Sequence, residues 1–316
     1  MEKKCMKGPE ESKSQTIIPH FKIFGRGRKS SDMISRAILM CIASISFLIL
    51  IFVFIFLFAN SMPLFVSDYG IWNFLVGTEW APSKGEYGIL PLLTGTLLIS
   101  LGATVFAVPL GIGCTIYLSQ LASERVKKVL KPAIEILAGI PSIVFGLIAM
   151  KLIADITKIF FGVPNGQVAF TGSIVLAVMM IPILVSLSED ALNAVPKELG
   201  DAAYALGLTK WESIKGVLIP SALSGISAAV ILSMGRALGE TMVVLMATGN
   251  FAQITFNILD PVKALTATIA LEVGETAVGG LHYSALFGVG IVLFLFTLLF
   301  NTIAGYIASR YSEVYK

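Results

Sequence analysis

Charge is what this chain has least of. Only 14% of its 316 residues are Asp, Glu, Lys or Arg, against 56% hydrophobic, and the mean hydropathy is +0.85. A soluble domain carries about 25% charged residues, so most of this surface must meet lipid. The same balance excludes a disordered chain and a collagen-like repeat. Cysteine is nearly absent. Cys5, Cys41 and Cys114 are far apart and odd in number, which excludes a disulfide framework and a CxxC pair. Cys41 and Cys114 read as small apolar fillers inside helices. Histidine is limited to His20 and His282, neither with a metal-ligand neighbour at useful spacing, and no HExxH run occurs. His282 reads as a solvated loop residue. No Gly-Lys dipeptide occurs, so there is no Walker-type phosphate loop with which to hydrolyse ATP. No apolar stretch contains a histidine to activate a serine, which argues against an intramembrane hydrolase. A net charge of +3 is too small to suggest nucleic acid as a partner.

Long apolar runs are what remains. A hydrocarbon core of ~30 Å needs about 20 apolar residues in a helix. Six stretches qualify: residues 37–59, 87–123, 132–154, 169–188, 221–249 and 284–308. The expectation is an all-α integral membrane protein with six transmembrane helices. The basic tail 1–36 is too long and mixed for a signal peptide, so the first helix is retained. Of the 23 lysines and arginines, 18 fall in that tail, the loops after spans two and four, and the tail 309–316. Both termini are therefore expected in the cytoplasm, with 37–308 as the membrane domain and 189–220 as its main cytoplasmic loop. On the other side, residues 60–86 carry Trp72 and Trp80, an interfacial signature. A short helix is expected near 262–273. Spans two to six are rich in Gly, Ala, Ser and Thr, which lets helices approach closely. That fits either contact with a second membrane subunit or packing within the chain.

Three constellations stand out. In the loop 189–220, Leu192, Val195, Leu199, Ala202, Ala203 and Leu206 recur at helical spacing. Pro196 suits the first turn of that helix, Gly207 ends or bends it, and Thr209 with Glu212 has the spacing of a capping box. Such a piece either docks on a partner or lies on lipid. The second constellation is Gly235-Arg236-Ala237-Leu238-Gly239-Glu240-Thr241-Met242 in span five. Arg236 and Glu240, four apart, are expected on one helical face. Either charge costs ~2.5–3.5 kcal/mol or more at the bilayer centre. A structural ion pair and a substrate route both fit. Arginine suits an oxyanion because its planar fork donates two hydrogen bonds to one anion. The third is Gly139-Ile140-Pro141-Ser142, where proline interrupts the backbone ladder. It reads as a packing kink, or as a constriction in which Ser142 offers a hydroxyl to an anion.

Asp201-Ala202-Ala203, Gly207 and Val217-Leu218-Ile219-Pro220 stand at the spacing of the EAA loop of ABC-importer permeases. Asp for Glu, Val for Ile and Ile for Leu are the departures. The resemblance implies that Asp201, Ala202, Ala203, Gly207 and Pro220 belong to a coupling loop that docks on an ATPase subunit. The runs RALGETMVVLMATGN from Arg236, EILAGIPSIVFG from Glu135 and YGILPLLTGT from Tyr87 resemble the phosphate-importer (Pst) permeases of PstC type. That likeness extends from about residue 30 to the C-terminus. It implies a type I ABC-importer permease fold in a prokaryotic plasma or inner membrane, forming half of a pathway for inorganic phosphate. It implies no catalytic residue and no cofactor in this chain, ATP being bound by a PstB-like ATPase dimer. A PstA-like sister permease and a PstS-like extracytoplasmic binding protein are the other implied partners. It further implies pathway roles for Arg236 and Glu240, with Thr241 and Ser142 beside them. Another oxyanion, sulfate or molybdate, is the alternative cargo, and an ATP-independent secondary transporter is the alternative class.

Overall fold

The structure, a computed structural model, describes residues 28–312. Cys5, His20 and most of the basic tail lie outside the described residues, as do residues 313–316. The chain divides into two compact units within its first helix, after Val53. Within the described residues the first unit is one helical run, the start of α1 (Arg28–Val66), with no charged side chain from Ala37 to Ala59.

The second unit begins with the rest of α1 and α2 (Gly70–Val76). A two-stranded antiparallel hairpin follows, β1 (Trp80–Ala81) and β2 (Glu86–Tyr87), with Trp80 opposite Tyr87. Next come α3 (Leu90–Ile116), which runs on as a π turn to Leu121, and α4 (Glu124–Gly139). α5 (Ser142–Ile148) continues through a π turn into α6 (Ala154–Phe161). α7 (Ala169–Asn193) and α8 (Lys197–Ala205) precede α9 (Lys210–Ser213), which a π turn joins to α10 (Ile219–Leu238). The chain closes with α11 (Met242–Ala247), α12 (Leu265–Glu272) and α13 (Leu281–Ser312).

Among the described residues, five helical stretches are long and apolar enough to cross a membrane: Ser35–Val66, Leu90–Leu121, Ala169–Asn193, Lys210–Leu238 and Leu281–Tyr306. The sixth crossing differs from the expected 132–154. There α4 and the run Ser142–Phe161 meet at a 92° bend. Pro141 causes it, because proline disfavours helical backbone in the residue before it, and Ile140 is extended at φ −68°, ψ 129°. The run from Ser142 to Phe161 is about 30 Å long at ~1.5 Å per residue, the length of a crossing, and with α4 it forms the bent pair that would make the sixth. α4 is instead two-sided and basic, with no buried residue. It is tied to the far end of α7 by Lys131 Nζ to Glu189 Oε2 at 3.1 Å.

Small residues set the core contacts. A Cβ at Gly102 would lie 2.5 Å from Ser173 Oγ, and one at Gly111 would lie 2.5 Å from Leu184 Cδ2. α3 and α7 therefore run side by side in the same direction, and Ser173 donates to the Ile99 carbonyl at 3.1 Å. Gly225 of α10 likewise leaves room for Ala191 of α7. At these positions the close packing lies within the chain.

At the hairpin end, Glu272 gathers three segments. Trp80 Nε1 donates to it at 3.2 Å, Lys263 forms an ion pair with it, and His282 Nε2 lies 2.7 Å from its Oε2. His282 is thus a half-buried member of a charged cluster, not a solvated loop residue. Its ring packs against Tyr87 and Trp80 because α13 begins beneath the hairpin. Breaking a buried pair by removing one partner costs about 3–5 kcal/mol. Glu272→Ala should lower the melting temperature of the purified protein in detergent by several degrees. Lys84→Ala breaks the exposed Lys84–Glu79 pair and should leave it nearly unchanged. Equal melting of the two variants would show that the Glu272 cluster carries no stability.

Candidate functional site

The expected Arg236–Glu240 helical pair does not form, because the helix stops between them. α10 ends at Leu238, and helix resumes only at Met242. The last amides tighten, Gly239 N to Arg236 O and Glu240 N to Ala237 O, both at 3.2 Å. Glu240 then turns forward rather than back. Its Oε1 accepts from Met242 N at 3.2 Å and from Val243 N at 3.5 Å, so the carboxylate satisfies orphan donors at the start of α11. Thr266 Oγ1 donates to the Glu240 carbonyl at 2.8 Å. Thr241 occupies the cap position, its hydroxyl 3.4 Å from the Gly239 carbonyl. Glu240 is half-buried, whereas Arg236 is exposed on the last turn of α10. Among the described residues Arg236 has no ion-pair or hydrogen-bond partner, so its fork is free for an anion.

The break at Pro141 lies beside this one. A Cβ at Gly146 would sit 2.6 Å from Met246 Sδ and 3.2 Å from the Met242 carbonyl. Glycine there lets α5 lie directly on α11. Ser142, half-buried, opens α5 about one turn before Gly146, and Glu240 precedes α11 by two residues. The structure therefore brings Ser142, Glu240 and Thr241 into one region, with Phe145, Ala149, Val175, Met179, Val243 and Ala247 packed behind them. α12 reaches the same region. Leu265 N donates to Thr96 Oγ1 at 3.0 Å, and Leu265 to Thr268 are buried. The helix expected near 262–273 thus exists but starts inside the bundle. The threonines at 266 and 268, placed where lipid-facing residues would be apolar, are the sequence signal for that.

The loop 189–220 resolves into α8 and the start of the α9–α10 helix. Pro196 stands just before α8, and Gly207 follows it at φ +84°, a backbone suited to glycine. The capping box forms: Glu212 Oε2 accepts from Thr209 N at 2.8 Å and Oγ1 at 2.7 Å, while Glu212 N donates to Thr209 Oγ1 at 3.4 Å. Pro220 sits inside the continuing helix at the first turn of α10. Ala203 is buried, but Asp201, Ala202 and Gly207 are exposed, and so are the apolar Leu206 (84%) and Trp211 (58%). Beside α8 a groove of about 420 Å³ is lined by Gln120, Lys127, Asn193, Lys197 and Asp201 among others. The helical spacing predicted a single apolar face. The structure buries only Leu192 and Ala203 of it and leaves Leu199 and Leu206 outward.

Loss of a threonine N-cap costs about 1 kcal/mol, so Thr209→Ala should reduce the hydrogen-exchange protection of the amides of residues 210–213 about fivefold. Unchanged protection in the variant would show that the capping box carries no stability there.

Residues 107–313 match a family model described as the binding-protein-dependent transport system inner membrane component. The chain is 36% identical over 299 residues to the phosphate transport system permease protein PstC of Mesorhizobium japonicum, covering 89% of this chain and 90% of that protein. It is 36% identical over 239 residues to the probable ABC transporter permease protein YqgH of Bacillus subtilis, covering 75% and 77%. Among solved structures it resembles a bacterial ABC transporter involved in the import of the acidic polysaccharide alginate. There the TM-score is 0.62 at 13% identity, over 90% of this chain and 99% of that one, a likeness of fold.

Proposed function

The chain belongs to the family of binding-protein-dependent transport system inner membrane components, and from its likeness to phosphate permeases of PstC type we propose that it carries inorganic phosphate into a prokaryotic cell. It is one permease of an ATP-driven importer, working with a sister permease, an ATPase dimer and an extracytoplasmic phosphate-binding protein. The concentration of Lys and Arg at the α8 end supports a cytoplasmic position for that end and for both termini. ATP hydrolysis falls to the partner, since this chain has no phosphate loop. The ATPase docks on α8 and the turn after it. Asp201, Ala202 and Gly207 are exposed there, with Leu206 and Trp211 offering apolar anchors.

The observation that carries the cargo reading is the free Arg236 beside a helix break occupied by a carboxylate. Arg236 supplies two donors to one phosphate. Glu240 at rest accepts from the α11 amides, and an arriving P–OH gives it a competing donor. Sulfate has no such proton, and desolvating it against a carboxylate is costly. Ser142 and Thr241 add hydroxyls near the same break.

Uptake into proteoliposomes holding the assembled transporter tests this. Arg236→Lys keeps the charge but loses the fork, and Glu240→Gln keeps an oxygen acceptor for the α11 amides but loses the charge. Each should lower phosphate uptake about tenfold or more, the worth of one charge-assisted hydrogen bond. Parental uptake in both variants would remove these residues from the pathway. For the docking surface, Leu206→Glu should leave membrane insertion unchanged and sever ATP hydrolysis from uptake. Coupled uptake at the parental rate in that variant would count against α8 as the contact.

A further inference from the structure

The run Ser142–Phe161 carries charges that neither the fold nor the pathway uses. Lys151, Asp155 and Lys158 are four and three residues apart, which sets them close to one helical face. All three are exposed, and among the described residues none has an ion-pair or hydrogen-bond partner. The opposite face is the packed one. Ala149, Ala154 and Thr157 are buried, and Thr157 meets Thr171 of α7 at 2.9 Å. Lys151 lies six residues before Thr157, at about the middle of the run, and within the π turn Ala149–Ile153. π turns inside helices frequently mark functional positions.

What covers this face is constrained from four sides. Lipid tails cannot solvate a lysine and an aspartate along the middle of a span. A water-filled anion route does not fit either, since Leu152, Ile156, Ile159 and Phe160 lie beside the charges and are themselves exposed. The first helix offers no countercharge, being uncharged from Ala37 to Ala59. A second copy of this chain fails on symmetry. Two copies inserted the same way and related by a two-fold along the membrane normal keep equal depths, so Lys151 would face Lys151 and Asp155 would face Asp155.

We propose that this face is the seam to a different membrane-spanning subunit, whose helix sets acidic groups opposite Lys151 and Lys158 and a cation opposite Asp155. The apolar residues beside the charges close the seam and exclude water, as at the rim of a helix pair. The proposal rests on the reading of the chain as part of a heteromeric transporter.

The test uses the transporter assembled with its companions, purified through a tag on this chain. Lys151→Glu should reduce the companion membrane subunit recovered per tagged chain about tenfold or more, equivalent to ~1.4 kcal/mol or more. An acidic-to-lysine change in the companion should restore it. A second readout does not depend on that variant folding. Leu152→Cys and Ile159→Cys, seven apart and so on one face, each in a chain otherwise free of cysteine, should react with a water-soluble maleimide in the chain purified alone. Both should be protected about tenfold or more in the assembly, the change expected on burial in a dry helix seam. Equal labelling in both states, or recovery of the companion at the parental ratio with Lys151→Glu, overturns the seam. Failure of the parental chain to bring down any second membrane subunit instead overturns the heteromeric reading itself.

Discussion

Inside a bilayer every backbone amide and carbonyl must find a partner in the protein, because the hydrocarbon offers none. The region between α10 and α13 is irregular, and its hydrogen bonds show how that demand is met. The first amides of α11 are taken by Glu240, whose own carbonyl is taken by Thr266. The first amide of α12 is taken by Thr96. Ala169 N and Phe170 N, at the start of α7, donate to the carbonyls of Asp260 and Ile258, while Val262 N donates to Thr248 O. Gln167 Nε2 closes the set on Met246 O at 3.1 Å. The start of α7, the break before α11 and the start of α12 are thus one bonded unit, and the position of each fixes the others.

A broken helix held this way can change shape without exposing unpaired backbone. Moving a continuous helix through its middle breaks ladder bonds, each expensive in a dry environment. Here the first amides of α11 are bonded by a side chain, so one acceptor can be exchanged for another. Glu240 is the clearest case, since its carboxylate serves α11 and could equally serve a protonated oxyanion. The free guanidinium of Arg236, a turn earlier on the intact helix, is the feature that would bring such an anion to the break. This links the local chemistry of two residues to a helix that can re-cap rather than unfold.

Much of the fold was legible. Apolar length located five crossings, and the capping box at Thr209 and Glu212 formed as its spacing predicts, because both partners are local. A helix near 262–273 was also expected and exists. The failures share one cause. The third crossing was placed at 132–154 because composition averages over Pro141, whose backbone effect is what sets the boundary. Arg236 and Glu240 were placed on one face because four-residue spacing presumes a continuous helix. Glu240 had a second option, capping the following segment, and only the tertiary fold decides between them. His282 was misread because its partner Glu272 is ten residues away across a turn, and Trp80 is on a distant hairpin. Two-residue strands leave no alternating pattern to read.

The unpaired charges of the membrane region separate by what surrounds them. Arg236 stands between Gly235 and Gly239, at the end of a helix whose last carbonyls and next amides are close by. That setting offers room and polar groups, which suits a small hydrated anion. Lys151 stands instead among Ile148, Leu152 and Ile156, all exposed, a setting with neither room nor polar backbone. Such a lysine is tolerable only against a fixed countercharge on another surface of similar relief. Both residues are cations on crossing helices, and a count of intramembrane charge would treat them alike. Their neighbours differ, polar and open at the break and apolar along the face. A membrane chain that leaves both unsatisfied in itself is built to work in an assembly.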